Sequence, residues 1–160
     1  MRIAGINYND FANGEGVCVS LFVQGCPHHC NGCFNPETWD FNKGSELPPD
    51  IRGQLIKAIT KNGIQRNFSV LGGEPLCSEN VKEVNNIITG IRTAFPDIKI
   101  FVWTGYTLEE LKAKQDLFIE NILNNINVLI DGRFELAYRD ITLKLRGSSN
   151  QRILYKGIDF

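Results

Sequence analysis

Residues 17–39 read VCVSLFVQGCPHHCNGCFNPETW, an apolar run followed by three cysteines in the order CxxxCxxC. The run Val17–Val23 is typical of a buried strand. The segment after it is rich in Gly, Pro and Asn, so we expect a loop rather than a helix or strand. Cys26, Cys30 and Cys33 are close enough in this loop to converge on one metal centre. The stretch therefore predicts a buried strand with a metal site at its end.

The three cysteines leave one ligand position without a thiolate. Iron–sulfur cubanes are usually held by four cysteines, so a three-cysteine set leaves one iron open to a ligand that is not protein. Zinc is an alternative, because His28 or His29 could complete a site of three cysteines and one histidine. Structural zinc sites usually draw ligands from two separated pairs, and no second CxxC exists. The spacing favours a cluster and leaves zinc open.

Composition predicts a single intracellular domain. The 160 residues are 42% hydrophobic, with 17 Lys and Arg against 18 Asp and Glu. This length buries one core, so we expect one domain over residues 1–160. Five cysteines, an odd number without a preceding signal peptide, argue against a disulfide framework and for a cytoplasmic location. The nearly neutral charge gives no reason to expect nucleic acid or membrane as a partner, and no apolar run could cross a bilayer.

Strand-like runs alternate with helical patterns along the chain, which predicts an α/β fold with parallel strands. Beyond Val17–Val23, the predicted strands are Phe68–Leu71, Ile98–Trp103 and Val128–Ile130. The predicted helices begin after Asp50 and end near Gly63, begin at Ser78 and end before Pro96, and begin at Thr107 with Glu110 as its capping-box partner. At the C-terminus, Ile141–Leu145 and Ile153–Tyr155 predict a hairpin or a strand added to the sheet.

The residues that follow each predicted strand form one candidate site, because ligands of parallel sheets bind beyond the carboxyl ends of the strands. These segments are the cysteine loop, LGGEPL at 71–76, TGY at 104–106 and DGR at 131–133. Alone, Gly72-Gly73 would indicate a loop whose backbone needs dihedral angles that glycine adopts easily. Beside the cysteines, two glycines would let backbone groups approach a ligand, and Glu74 could accept hydrogen bonds from an ammonium group.

Through CxxxCxxC at 26–33 and GGEP at 72–75, the chain resembles the radical S-adenosylmethionine (SAM) enzymes. The resemblance implies that Cys26, Cys30 and Cys33 hold a [4Fe-4S] cluster whose open iron is chelated by the amino and carboxylate groups of SAM. It also implies a truncated, open partial (β/α) barrel of the radical SAM type, because a complete barrel needs about 250 residues.

Longer stretches are similar to a narrower family, the activating proteins of anaerobic ribonucleoside-triphosphate reductase. They are NGEGVCVSLFVQGCPHHCNGCFNPETWDF, VWTGYTLEEL, LIDGRFE and RGSSNQRI. The similarity implies a radical SAM oxidoreductase that cleaves SAM reductively and uses a 5′-deoxyadenosyl radical to form a glycyl radical on a glycine of the reductase. A flavodoxin-like electron donor is also implied. Another glycyl-radical enzyme as target, a zinc-binding adaptor and an iron–sulfur electron carrier remain alternatives.

The resemblance also assigns SAM contacts to individual residues. Gly72, Gly73 and Glu74 are expected to meet the amino group, and the backbone of Gly32, Cys33 and Phe34 is expected to contact the adenine. Many superfamily members carry an aromatic residue just before the third cysteine, whereas this chain has Gly32 there and Phe34 just after Cys33. The Phe34 ring could pack beside the adenine or anchor the loop to the core.

The remaining candidates near the predicted site have two interpretations each. The resemblance implies that Thr104 and Asp131 contact the nucleoside or a monovalent cation, although Asp131 could equally cap a turn before Gly132. His28 and His29 are expected to tune or cover the cluster, and no catalytic proton carrier is expected. The two other cysteines, Cys18 and Cys77, are expected to be buried and unreactive.

Overall fold

Seven strands form one mixed sheet in the computed structural model, which describes residues 1–160. The strands are β1 (Arg2–Asp10), β2 (Cys18–Val23), β3 (Ser45–Glu46), β4 (Asn67–Gly72), β5 (Ile100–Trp103), β6 (Val128–Asp131) and β7 (Arg152–Tyr155). Their order across the sheet is β3-β1-β2-β4-β5-β6-β7. The pairs from β2 to β6 are parallel, and β1, β3 and β7 pair antiparallel with their neighbours. The edge strands β3 and β7 do not pair with each other, so the sheet is open.

Four α-helices pack on one face of this sheet. They are α1 (Ile51–Ile59), α2 (Val81–Ala94), α3 (Leu108–Ala113) and α4 (Leu117–Asn125). Because strand side chains alternate between faces, Val19, Leu21 and Val70 point toward the helices and join a core cluster with Ile88 and Ile122. Burial of this apolar surface holds the helical layer on the sheet. None of these helices is both long and apolar enough to span a membrane.

A smaller apolar cluster lies on the opposite face of the sheet. Phe101, Val128 and Ile130 are buried there, and Trp103 and Leu145 pack against them. The indole N–H of Trp103 also donates to the carbonyl of Leu145 over 2.7 Å. These contacts bring the C-terminal part of the chain onto the face that the helices leave free.

The α/β prediction and its four parallel strands are confirmed, and the differences lie at the sheet edges. β1 was not predicted, because it is largely part-exposed and lacks the apolar run of a buried strand. The hairpin prediction is wrong for Ile141–Leu145, which forms turns. Asp140 accepts from the N–H and hydroxyl of Thr142, which favours a turn over a strand there. The alternative is confirmed, since β7 adds antiparallel to β6.

A side chain caps the start of α3 but not the start of α2. Thr107 accepts from the N–H of Glu110, and the Glu110 carboxylate accepts from the N–H of Thr107, so the capping box is confirmed. The prediction of Ser78 as N-cap is wrong, because its hydroxyl donates to Glu79 and α2 begins after Asn80. α2 ends before Pro96, as predicted.

The connection between β5 and β6 contains one more helix than we predicted. The helix that Thr107 opens ends at Ala113, and α4 follows after a short turn. Asp116 caps α4 by accepting from the N–H groups of Phe118 and Ile119. A side-chain cap of this kind is visible in sequence as an Asp directly before an apolar periodic segment.

Truncation of the α2 core contact should destabilise the fold strongly. Ile88 is fully buried against the sheet, so Ile88→Ala should lower the free energy of unfolding by about 2–5 kcal/mol. Lys82→Ala, on the exposed side of the same helix, should change it by less than about 0.5 kcal/mol. Urea unfolding of the metal-free protein measures both. Equal losses in the two variants would contradict the packing described here.

Candidate metal centre and ligand site

The cysteine loop leaves the carboxyl end of β2 and is held at both ends by backbone hydrogen bonds. Gly25 and Cys26 donate to the carbonyls of Thr38 and Trp39 over 2.8 and 3.1 Å. The three cysteines of the loop are partly buried, and all five cysteines of the chain are free thiols. The loop thus presents three thiols from one short segment at one end of the parallel strands.

The two histidines of the loop do not complete a metal site with the cysteines. His28 Nε2 lies 2.8 Å from a Glu74 carboxylate oxygen, and the ring of His29 stacks on Trp39. No three His, Cys, Asp or Glu side chains converge as the ligands of a single ion. A zinc site would gather its thiolates about 2.3 Å from one ion, whereas a cubane spreads its cysteines over separate irons. Three thiols without a nearby fourth protein ligand therefore fit an iron–sulfur cluster better than a four-coordinate structural zinc site.

Burial raises the pKa of two of the three thiols in the cysteine loop. Desolvation raises the pKa of Cys26 to about 11 and also raises the pKa of Cys30. Metal binding requires thiolates, so cluster assembly has to release protons from these groups. Burial raises the pKa of Cys77 to about 12, and Cys18 is likewise buried with a raised pKa. Both of these cysteines match the prediction of inert buried thiols.

Gly72 ends β4, and Gly73 and Glu74 follow it and lie directly against the start of the cysteine loop. The N–H of Gly73 donates to the carbonyl of Val23, and the N–H of Glu74 donates to the carbonyl of Gly25, each over 2.8 Å. A Cβ on Gly73 would come within 2.3 Å of the Gly25 carbonyl oxygen. The close approach of these two loops therefore requires glycine at position 73.

The Glu74 carboxylate is completely buried and fully hydrogen-bonded by the chain itself. One oxygen accepts from the N–H of Leu76 and the hydroxyl of Thr104, each over 2.8 Å. The other accepts from the N–H of Gly105 over 2.7 Å and faces His28 Nε2. The residue is 0% exposed. Its carboxylate therefore has no free position for the ammonium group that the sequence assigned to it, although its backbone stays beside Gly73.

Thr104 lies inside the candidate site, whereas the Asp131 carboxylate forms hydrogen bonds that hold neighbouring parts of the fold together. The Asp131 carboxylate is 1% exposed and accepts from the N–H of Leu108 at the start of α3 over 2.7 Å. It also pairs with the guanidinium of Arg152 on β7, and this contact raises the pKa of Arg152. The turn-cap alternative for Asp131 is wrong, because its carboxylate bonds join α3 and β7 to β6.

Gly32 and Phe34 lie on the exposed side of the cysteine loop. Phe34 is 59% exposed, and its ring packs edge-on against Phe134 with 5.5 Å between centroids. The alternative that Phe34 anchors the loop in the core is therefore wrong. A Cβ on Gly32 would come within 2.9 Å of Leu136, so the segment that contains Phe134 and Leu136 packs directly on the cysteine loop.

The segment that packs on the loop is held by residues we had not assigned to the site. Gln151 Oε1 accepts from the N–H groups of Gly147 and Ser148, and its amide donates to the carbonyl of Gly132. The side-chain amide of Asn150 donates to the carbonyl of Arg133. The sequence signal is RGSSNQRI at 146–153, whose polar residues predict a turn but not which backbone groups they bond.

Comparisons with known proteins extend over nearly the whole chain. A family model described as "4Fe-4S single cluster domain" matches residues 12–154. The anaerobic ribonucleoside-triphosphate reductase-activating protein of Escherichia coli strain K12 is 41% identical over 143 residues, 89% of this chain and 90% of that protein. The proteins of the same name from Pasteurella multocida and Enterobacteria phage T4 are 40% and 37% identical, over 92% and 90% of this chain and 92% and 87% of their own lengths.

Adding a methyl group at position 73 should separate the two loops of the site. Gly73→Ala should lower the free energy of unfolding by about 1–3 kcal/mol, because the methyl would overlap a backbone carbonyl that has no room to move. It should also lower the iron bound per chain after anaerobic reconstitution.

Gly5→Ala is the matched control for this variant, since nothing lies within 4 Å of the added Cβ. Its stability should change by less than about 0.5 kcal/mol, and its iron content should equal that of the wild type. A Gly73→Ala protein with wild-type stability and iron content would contradict the close approach.

Proposed function

The chain belongs to the family of anaerobic ribonucleoside-triphosphate reductase-activating proteins, and we propose that it activates such a reductase by reductive cleavage of SAM. The observation that carries the proposal is the contact between the two loops of the site. Glu74 N–H bonds the Gly25 carbonyl over 2.8 Å, so the GGEP segment adjoins the loop of three cysteines. A cluster with one iron open to a non-protein ligand would thus lie beside the backbone that suits an amino acid ligand.

Cys26, Cys30 and Cys33 are the residues that would hold a [4Fe-4S] cluster. When bound, the cluster supplies one electron to SAM, whose carbon–sulfur cleavage gives methionine and a 5′-deoxyadenosyl radical that takes hydrogen from a glycine of the reductase. The chain's own residues bind, orient and exclude competing reactions. No side-chain acid or base is needed, which agrees with histidines that face Glu74 and Trp39.

The SAM amino group is proposed to bind the backbone of the Gly72-Gly73-Glu74 segment. The Glu74 carboxylate already accepts from four donors, so it supports this backbone instead of meeting the ligand. Phe34 has an exposed ring that is free to pack beside the adenine, together with the backbone of Gly32 and Cys33. Contacts of Thr104 and Asp131 with the nucleoside or a cation stay predictions.

The open sheet supports a macromolecular substrate. We interpret the parallel strands β2, β4, β5 and β6 as a truncated partial (β/α) barrel of the radical SAM type, in which the missing strands leave one side open. The glycine-bearing loop of the reductase would enter by this side. A flavodoxin-like protein is the proposed electron donor, and a cytoplasmic location stays a prediction.

Loss of any one of the three loop cysteines should abolish the proposed reaction. After anaerobic reconstitution and reduction, Cys26→Ser, Cys30→Ser and Cys33→Ser should yield methionine and 5′-deoxyadenosine only at the uncatalysed background, because an incomplete donor set no longer holds a reducible cluster. Chromatography of the products from the wild-type protein and each variant is the measurement.

Cys77→Ser is the control, because Cys77 is a buried thiol outside the cysteine loop and should keep wild-type cleavage. With an anaerobic ribonucleoside-triphosphate reductase added, the wild type and this control should produce a glycyl radical, detected by paramagnetic resonance. A brown, reducible wild-type protein that leaves SAM intact would make it an electron carrier and overturn the proposal.

A further inference from the structure

The middle of the cysteine loop makes few hydrogen bonds to the rest of the protein. Residues 27–32 make no backbone hydrogen bond outside the loop, and the N–H of Cys33 bonds the loop's own Cys30 carbonyl. The backbone N–H of Phe134 faces the Cys30 sulfur. Apart from the Cys30 sulfur, His28 is the one side chain of residues 27–32 that forms a hydrogen bond with a residue elsewhere in the chain. Phe134 and Leu136 pack on the outer side of the loop, and the His28 hydrogen bond is its polar attachment on the inner side.

His28 is turned inward and closely packed. Its side chain is only 5% exposed, and its ring meets Tyr106 edge-on with 4.5 Å between centroids. A Cβ on Gly105 would come within 2.4 Å of the His28 ring, so glycine at 105 makes room for it. The imidazole thus fills a fitted space between the TGY segment and Glu74.

The partner of His28 is a carboxylate that gathers donors from three loops. Leu76 directly follows the GGEP segment, Thr104 and Gly105 belong to the TGY segment, and His28 belongs to the cysteine loop. No Lys or Arg side chain pairs with Glu74. A buried carboxylate needs such donors to offset its lost hydration, so the three loops are held in one arrangement around it.

Building on the proposed function, we propose that His28 and Glu74 are positioning residues for SAM binding. Their hydrogen bond fixes the middle of the cysteine loop against Gly73 and Gly105. It would thereby hold the three cysteines that bind the cluster in a fixed position beside the backbone proposed to receive SAM. Neither side chain touches SAM in this account, and the effect of Glu74 on SAM binding passes largely through His28.

Amide hydrogen exchange of the metal-free protein tests the anchor without any cofactor. His28→Ala should raise exchange of the bonded amides of Gly25, Cys26 and Glu74 about tenfold or more, the factor expected for losing a hydrogen bond to a charged group. His28→Gln, whose amide nitrogen can replace Nε2, should exchange within about threefold of wild type. Asn31→Ala, in the same loop but without a hydrogen bond, should match wild type. Equal exchange in all four proteins would overturn the proposal.

Titration of SAM against the reconstituted protein tests the consequence for the site. His28→Ala should retain three cysteines and a reducible cluster, yet bind SAM about tenfold more weakly, with His28→Gln restoring most of the affinity. The defect should appear in the KM for SAM more than in kcat at saturation. Wild-type SAM affinity in His28→Ala would overturn the proposal.

A double-mutant cycle separates positioning from direct contact. If His28 and Glu74 act as one unit, His28→Ala with Glu74→Gln should weaken SAM binding no more than the more damaging single variant. Losses that multiply would show that Glu74 affects SAM binding independently of His28, and the proposal would fail. Failure of the proposed function is recognised differently, as absence of SAM binding by the loaded wild type, while the exchange experiment still decides whether His28 anchors the loop.

Discussion

Burial of the Glu74 carboxylate is the constraint around which the site is organised. A charged group without water needs hydrogen-bond donors on both oxygens, or its burial costs several kcal/mol. Here the donors are two backbone N–H groups, one hydroxyl and one imidazole. They belong to segments that follow β2, β4 and β5, which parallel pairing brings to one edge of the sheet. One side chain thus joins the cysteine loop to the two neighbouring loops.

Close packing of backbone supports this arrangement on both sides. Gly73 lets the GGEP segment lie on the Gly25 carbonyl, and Gly105 leaves room for the His28 ring. On the outer side, Gln151 holds the segment whose Phe134 and Leu136 pack on the cysteine loop. The loop is therefore enclosed between the sheet edge and a C-terminal segment, while Phe34 stays open to a ligand.

The parallel strands, and the loops after them that form the site, could be predicted because their sequence signals are local. Apolar runs marked β2, β4, β5 and β6, and a Thr and a Glu three residues apart marked the start of α3. β1 could not be predicted, because a part-exposed strand near the sheet edge carries no continuous apolar run. The predicted site beyond the strand ends placed His28, Glu74 and Thr104 near one another. It did not show which of them would form hydrogen bonds with each other. Glu74 was assigned to a ligand because its four donors lie up to 46 positions away in sequence.

Paramagnetic resonance of the reduced, reconstituted protein with and without SAM tests the central claim most directly. The account predicts a cluster signal that changes when SAM is added, because SAM would ligate the iron that the three cysteines leave open. The same signal in both samples, at SAM concentrations far above those used for cleavage, would contradict it.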